Sequence, residues 1–281
     1  MRWQQGHQSD DVIDLRGQRS VGGAGLRLGI GGFLVLAVLS VVFRRNLFTV
    51  VQGTNSPTTT APTTPYRASP EEERQAQFVA FVLDDVQNTW GRLTPALGTE
   101  YRRAQLVLFT DAVRSGCGAA GAEVGPFYCP ADQRVYLDLG FFRELQSRFR
   151  ASGDFAQAYV IAHEIGHHVQ HQLGIDARVR QMQQADPSSE NSLSVRTELQ
   201  ADCFAGVWAH STSQRNLLES GDLEEALGAA AAVGDDRIQR GAGRRSSPET
   251  WTHGSAQQRA SWFRRGWDSG DPRRCDAFAG T

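Results

Sequence analysis

The feature that most constrains this chain is a helical segment in which two histidines and a glutamate are embedded in apolar sequence. Residues 163–167 read His-Glu-Ile-Gly-His, and the apolar residues 158–162 precede them. Because residues four apart lie on one face of a helix, His163 and His167 can bind one zinc ion together. Glu164 is then placed to take a proton from a water molecule on that ion. The segment therefore predicts a buried helix that supplies part of a catalytic zinc site.

A second helical segment offers the ligand that is still missing. A catalytic zinc ion takes three protein ligands and keeps one position open for water. Glu198 and Asp202 are again four residues apart, in an otherwise apolar helix. Since two carboxylates on a buried face require nearby positive charge, we predict that Glu198 is the third ligand and that Asp202 accepts a hydrogen bond from a ligand imidazole. The alternative, a solvated helix face beside Arg196, leaves the coincidence with the histidine pair unexplained.

The other histidines of this part of the chain have different predicted roles. His253 precedes a predicted helix, and a histidine in such a loop could stabilise the oxyanion that forms during amide hydrolysis. A structural His253 that bonds a neighbouring carboxylate is an equally open alternative. His168 and His171 extend the histidine-rich run, and we predict that they pack or lie on the helix surface rather than bind the metal.

A long apolar run near the N-terminus predicts a membrane anchor. Residues 28–43 are uncharged and mostly apolar, and the apolar character resumes at 47–51 after two arginines. If those arginines extend their charged ends to the interface, one helix over 28–51 can span a hydrocarbon core of about 30 Å. A cleaved signal peptide and a buried core helix are the alternatives. Several acidic residues precede the run, and this argues against a signal peptide.

Composition divides the rest of the chain into three parts. The polar, Gly-rich residues 1–27 predict a disordered cytoplasmic tail. Residues 52–70 are rich in threonine and proline and predict a semi-extended linker. Residues 71–281 then predict a single zinc metallopeptidase domain, whose first helix is capped by Ser69 with Pro70 at its first position.

The order of helical and β-prone segments predicts an α+β fold that is predominantly helical and has a small β-sheet. Apolar residues recur every four positions in the first helix, at Phe78, Val82, Val86 and Trp90. Short β-prone runs occupy residues 105–109 and 134–137. Further helices are expected at about 139–150, 154–173, 190–212, 222–240 and 255–268.

The cysteines and the net charge bear on location and partners. All four cysteines follow the apolar run, at positions 117, 129, 203 and 275, and an even number fits two disulfides outside the cytoplasm. Cys117 and Cys129 bracket a Gly-rich loop and form the natural short-range pair, which leaves Cys203 for Cys275, although four cysteines allow three connectivities. The net charge of −2 gives no indication of a nucleic-acid partner.

Beyond these motifs, the chain resembles the neutral zinc metallopeptidase family of bacteria over nearly its whole length. The resemblance rests on several blocks in the same order, which are residues 1–17, 125–142, 154–170, 198–210, 234–239 and 252–266. It implies a zincin-like domain, preceded by one transmembrane helix, with Zn²⁺ as cofactor and a peptide or protein as substrate. It also implies an edge strand that binds the substrate backbone, for which residues 134–138 are the candidate.

We therefore predict a zinc-dependent peptidase, anchored in the bacterial cell membrane by a single N-terminal helix, with its catalytic domain outside the cytoplasm. Glu164 would be the general base for the attacking water. One alternative is an envelope binding or chaperone-like module with a structural zinc site, and Glu164 argues against it because a structural site needs no base. Another alternative is a hydrolase of a non-peptide amide, for which the metal chemistry would be the same.

Overall fold

The first long helix begins where the sequence places it. The computed structural model describes residues 1–18 and 66–279 of the chain. In helix α1 (Pro70–Leu93), the Ser69 side chain accepts a hydrogen bond from the Glu72 backbone, and the Glu72 side chain accepts one from the Ser69 backbone. These two bonds satisfy backbone donors that a helix start leaves without partners. The apolar residues of its predicted face are all buried, namely Phe78, Val82, Val86 and Trp90.

A small mixed sheet covers one side of the helices. It contains four strands in the order β1, β2, β6, β5, which are Val12–Asp14, Gln105–Phe109, Arg134–Asp138 and Phe127–Cys129. Strands β1, β2 and β6 are parallel, and β5 is antiparallel to β6. A separate hairpin lies between β2 and β5 and consists of β3 (Ala112–Ser115) and β4 (Gly118–Gly121). The two predicted strands are confirmed as β2 and β6.

Helices make up most of the part of the chain that the structure describes. After β6 come α2 (Gly140–Ser147), α3 (Asp154–Gln172), α4 (Ile175–Ala185), α5 (Glu190–Gln214), α6 (Asp222–Ala232), α7 (Asp235–Gly241) and α8 (Ala256–Ser269). The predicted α+β class with a small sheet is confirmed. Helix α4 was not predicted, and the single helix expected over 222–240 is two helices. It is interrupted at Gly234, where a Cβ atom would collide with the backbone of Ala256.

The prediction of a disordered tail over residues 1–27 is wrong for residues 1–18. Strand β1 pairs in register with β2, and the Trp3 ring packs against Phe78 and Phe81 of α1. The ammonium group of Met1 donates to Asp154 at the start of α3. The polar composition misled the prediction because these polar groups find their partners on elements distant in sequence. Residues 1–18 therefore belong to the folded body.

Residues 17 and 66, which are described on either side of the undescribed segment 19–65, lie close together. Gly17 lies so close to Tyr66 that a Cβ atom at Gly17 would collide with the tyrosine side chain. The predicted anchor at 28–51 and most of the predicted linker at 52–70 lie outside the described residues. Within residues 1–18 and 66–279, no helix has the length and apolar character that a membrane crossing requires.

Two disulfides connect the cysteines in the pairing favoured from the sequence. Cys117 is bonded to Cys129 and ties the β3–β4 hairpin to the end of β5. Cys203 is bonded to Cys275 and ties α5 to the segment that follows α8. Because the second bond closes a long loop, it is the one with the larger expected effect on the unfolded chain.

If residues 1–18 pack as the structure describes, Trp3→Ala will destabilise the protein. Truncation of a partly buried aromatic side chain is expected to lower the free energy of unfolding by about 2 kcal/mol. For a body of this size, that corresponds to a fall in melting temperature of about 5 °C. Gln4→Ala changes an exposed neighbour and is the matched control. Equal melting temperatures for the two variants would show that the segment does not contribute to the fold.

Candidate metal centre

Three side chains from two helices converge in the interior. Helix α3 carries His163 and His167, and α5 carries Glu198. The Nε2 atom of His163 lies 3.2 Å from Glu198 Oε2, and the Nε2 atom of His167 lies 3.5 Å from Glu198 Oε1. Donor atoms around a tetrahedral zinc ion with bonds of about 2.1 Å are separated by about 3.4 Å. The distances therefore fit a single ion held by two imidazoles and one carboxylate.

The convergence depends on a close contact between the two helices. A Cβ atom at Gly166 would lie 3.1 Å from the backbone oxygen of Ala201 and 3.2 Å from its Cα atom. Gly166 lies between the two histidines in sequence, and Ala201 lies between Glu198 and Asp202. A larger side chain at Gly166 would push α5 away from α3 and would separate the carboxylate from the imidazoles.

Both imidazoles are oriented by bonds at their outer nitrogens. His163 Nδ1 lies 2.9 Å from Asp202 Oδ1, and His167 Nδ1 lies 2.9 Å from Gln170 Oε1. Because each partner atom is an acceptor, each Nδ1 carries the proton and each Nε2 keeps its lone pair for a metal. The predicted bond from a ligand imidazole to Asp202 is thus present in the structure.

Gln170 is a site residue that the sequence did not reveal. Its side-chain nitrogen donates to Thr197 O at 2.8 Å and to Gln200 Oε1 at 3.0 Å, so its oxygen faces His167. Gln170 is almost completely buried, with 1% of its surface exposed. Its position three residues after His167 on one helix was the available signal, but a glutamine at that spacing is common on exposed helix faces.

The charges of the site call for a cation. Burial acts to lower the pKa of His163, but the Asp202 and Glu198 carboxylates outweigh it and raise the pKa to about 10. Burial acts to raise the pKa of Glu198, yet the charge of His167 and the hydrogen bond from His163 hold it well below its usual range. Without a metal ion, the carboxylates therefore hold a proton on His163, and a divalent cation can take over that positive charge.

Glu164 is the one acidic residue of the motif that is kept free. It lies next to His163 on α3 with 8% of its surface exposed, and it has no hydrogen-bond or ion-pair partner among the described residues. A carboxylate that serves as a general base has to be free to reach a water molecule. The surroundings of Glu164 are compatible with this role.

His253 lies beside the site, but its ring bonds another carboxylate. Its Nδ1 atom is 3.2 Å from Asp235 Oδ1, and 46% of the side chain is exposed. The other Asp235 oxygen accepts the backbone N–H groups of residues 252, 253 and 254. Desolvation acts to lower the pKa of His253, but Asp235 and the nearby Glu198 outweigh it and raise the pKa. The geometry thus contains the contact of the structural alternative and also a charge interaction with the metal ligand.

A match to a known protein family agrees with this geometry. A sequence profile of the family described as "Putative neutral zinc metallopeptidase" matches residues 1–278. The chain belongs to this family. Its name implies zinc as the metal for the cluster formed by His163, His167 and Glu198, whose donor atoms all lie within 4.8 Å of one another.

Curated relatives extend the match over the whole length. The uncharacterized protein YpfJ of Escherichia coli strain K12 is 49% identical over 284 residues, covering 99% of each chain. The uncharacterized proteins Mb2605 of Mycobacterium bovis and Rv2575 of Mycobacterium tuberculosis strain H37Rv are 48% identical over 207 residues, covering 70% of this chain and 68% of theirs. No solved structure matches the chain.

The neighbouring histidines of the family motif are used for packing. His168 is fully buried and bonds the Tyr128 hydroxyl and the Arg102 carbonyl, and burial lowers its pKa to about 4. His171 pairs with Asp176 at 2.8 Å. Neither ring belongs to the cluster of metal-ligand atoms among the described residues.

The edge strand near α3 is not the one implied by the resemblance. Strand β6, which contains the candidate residues 134–138, is hydrogen-bonded to β2 on one side and to β5 on the other. At residues 134–136 its backbone is therefore paired on both sides and is not available to an extended substrate. The edge that packs next to α3 belongs to β5, because among residues 1–18 and 66–279 β5 pairs with no strand other than β6. The candidate for substrate pairing moves to Phe127–Cys129.

Gly166→Val is expected to remove metal binding and to lower the stability of the fold, because the α3–α5 contact lies in the core. The added carbons would meet the α5 backbone and would separate Glu198 from the two histidines. Gly228→Val is the matched control, because nothing lies within 4 Å of a Cβ atom at Gly228 on α6. Metal content of the purified proteins is the measurement. Stoichiometric zinc in the Gly166 variant would contradict the described role of the helix contact.

Proposed function

We propose that the protein is a zinc-dependent peptidase that hydrolyses peptide bonds of a peptide or protein substrate. The observation that carries the proposal is the combination of a His163, His167 and Glu198 cluster with a partner-free Glu164 beside it. A structural zinc site closes its coordination with four protein ligands, whereas the described residues contribute three to this cluster. The description of the matching family also supports a metallopeptidase.

The side chains divide the work of amide hydrolysis among them. Zinc, when bound, would lower the pKa of a water molecule to about 7 and polarise the scissile carbonyl. Glu164 accepts the proton of the attacking water and passes it to the leaving amine. His163 and His167 keep their Nε2 lone pairs directed at the metal position because Asp202 and Gln170 hold their Nδ1 protons.

His253 is the proposed donor to the oxyanion that develops on the substrate carbonyl. Its Nδ1 atom is engaged by Asp235, so a protonated ring still has Nε2–H to donate. Asp235 also binds the backbone of the loop that carries the ring, and thereby fixes where the ring lies. The charge interaction between His253 and Glu198 supports a position near the reacting atoms.

We further propose that the catalytic domain lies outside the cytoplasm at the bacterial cell membrane. The two disulfides support an oxidising compartment. Attachment to the membrane rests on the apolar sequence of residues 28–51.

The function can be tested with the full-length protein in detergent. Metal analysis should find one zinc per chain, and a peptide library should be cleaved without chelator and left intact with it. Added zinc should restore cleavage. Turnover that persists after the metal has been removed would contradict the proposal. Hydrolysis of cell-wall amides in place of peptides would change the substrate class and keep the chemistry.

Glu164→Gln should separate metal binding from catalysis. The amide has nearly the same shape as the carboxylate but cannot accept the proton, so kcat should fall by about a hundredfold or more. Zinc content should remain that of the wild type, since Glu164 is not a ligand. Glu144→Gln, an exposed change on α2, controls for the substitution itself. Wild-type turnover by the Glu164 variant would exclude this residue as the base.

Asp235→Asn should shift the alkaline limb of the activity profile. Asp235 raises the pKa of His253, so the protonated ring persists to higher pH than an isolated histidine would allow. Removal of the carboxylate lowers that pKa, and the loss of kcat/KM with rising pH should begin at lower pH. Asp236→Asn alters the neighbouring carboxylate, which bonds Ala256 and Arg240, and should leave the limb in place. An unchanged limb for Asp235→Asn would contradict a protonated His253 in the reaction.

A further inference from the structure

One buried cation beside the metal cluster has no part in the mechanism described above. Arg259 lies in the first turns of α8, and only 3% of its surface is exposed. Its terminal nitrogen is 3.4 Å from both ring nitrogens of His163 and 3.7 Å from Glu198 Oε2. Burial of a guanidinium group is unfavourable unless its charge and its donors are matched. A specific partner must therefore hold it there.

That partner is Asp202. The two groups make a bidentate contact, from Arg259 Nε to Asp202 Oδ2 at 2.8 Å and from the terminal nitrogen to Oδ1 at 3.0 Å. The remaining donors to this carboxylate are His163 Nδ1 and the Tyr159 hydroxyl. Asp202 is completely buried, so these four donors alone determine its orientation.

Helix packing places Arg259 against Asp202. At the crossing of α5 and α8, a Cβ atom at Gly206 would collide with the Phe263 backbone, and one at Gly266 would collide with the Cys203 backbone. The two backbones are therefore in direct contact. Gly206 follows Asp202 by one helical turn, and Gly266 follows Arg259 by two turns. The crossing thus brings the carboxylate and the guanidinium onto facing sides of the two helices.

The charge of Arg259 cannot itself favour a bound metal. A cation this close to the cluster repels a second cation in a buried site of low dielectric constant. If charge were its main effect, removal of the arginine would tighten zinc binding. The bidentate contact predicts that removal of the arginine weakens zinc binding. Without the two bonds from the guanidinium group, the Asp202 carboxylate loses the orientation that holds the His163 proton on Nδ1.

We propose that Arg259 is a positioning residue of the metal site, which acts through Asp202 to keep His163 in the orientation and tautomer that bind zinc. The inference rests on the proposed zinc site but not on peptidase activity. Arg259 is assigned no contact with a substrate, because only 3% of its surface is exposed and its guanidinium group is bonded to Asp202. Its role is to fix the orientation of the Asp202 carboxylate, so that the Nε2 atom of His163 is directed at the metal position before the metal binds.

The test is the zinc dissociation constant of the full-length protein, measured by competition with a chelator of known affinity. Arg259→Met removes the charge and the donors, and Arg259→Lys keeps the charge but cannot make the bidentate contact. Both should weaken zinc binding by about tenfold to a hundredfold, as for other residues that orient a metal ligand. Arg264→Met, an exposed change on the same helix, should leave the dissociation constant unchanged. Unchanged or tighter zinc binding by Arg259→Met overturns the proposal.

A double variant keeps the test decisive if Arg259→Met folds poorly. Asp202→Asn combined with Arg259→Met removes both charges, and the melting temperature should recover because no buried carboxylate is left alone. Its zinc dissociation constant should equal that of Asp202→Asn alone, since Arg259 acts through Asp202. A further loss in the double variant would overturn this route. If the wild-type protein binds no zinc, the proposed function is wrong. If the wild-type protein binds zinc and the Arg259 variants bind it equally well, only the inference about Arg259 is wrong.

Discussion

The functional centre depends on how closely two helices approach each other. Helices α3 and α5 meet at Gly166 and Ala201, and a Cβ atom added to Gly166 would lie only 3.1–3.3 Å from the oxygen, Cα and Cβ atoms of Ala201. The site residues occur in pairs four residues apart on either side of this contact, with His163 and His167 on α3 and with Glu198 and Asp202 on α5. A site of this kind is rigid because both helices are buried and their spacing cannot relax without opening the core.

Each polar side chain of the site is oriented by a hydrogen bond or ion pair with the next residue outward from the cluster. His163 is held by Asp202, and Asp202 is held by Arg259 and Tyr159. His167 is held by Gln170, which is in turn fixed by Gln200 and the α5 backbone. Such networks are favourable only when every member is satisfied. Gln200 also donates to the backbone carbonyl of Cys275, and Cys275 forms a disulfide with Cys203 of α5. The disulfide therefore keeps this acceptor next to Gln200.

Local patterns were sufficient to predict most of the helices, and they singled out the three side chains that converge, although α4 was missed. The four-residue spacing of Phe78, Val82, Val86 and Trp90 and the cap at Ser69 are properties of a single segment, and the helix they predict is present. The spacing within each ligand pair likewise identified the residues that converge. The polar groups that orient the ligands come from other elements, and no local signal connects Arg259 to Asp202. Strand β1 was missed for the same reason, because its partner β2 is far away in sequence.

The position of Gly17 beside Tyr66 limits how the protein can be tethered to a lipid bilayer. The chain leaves the folded body at residue 18 and rejoins it at residue 66, and these two points are neighbours on one surface. A helix that crossed a bilayer once would place the two points on opposite leaflets, and β1 would then have to separate from β2. Docking of the first eighteen residues and a single crossing are therefore mutually exclusive states of the same chain.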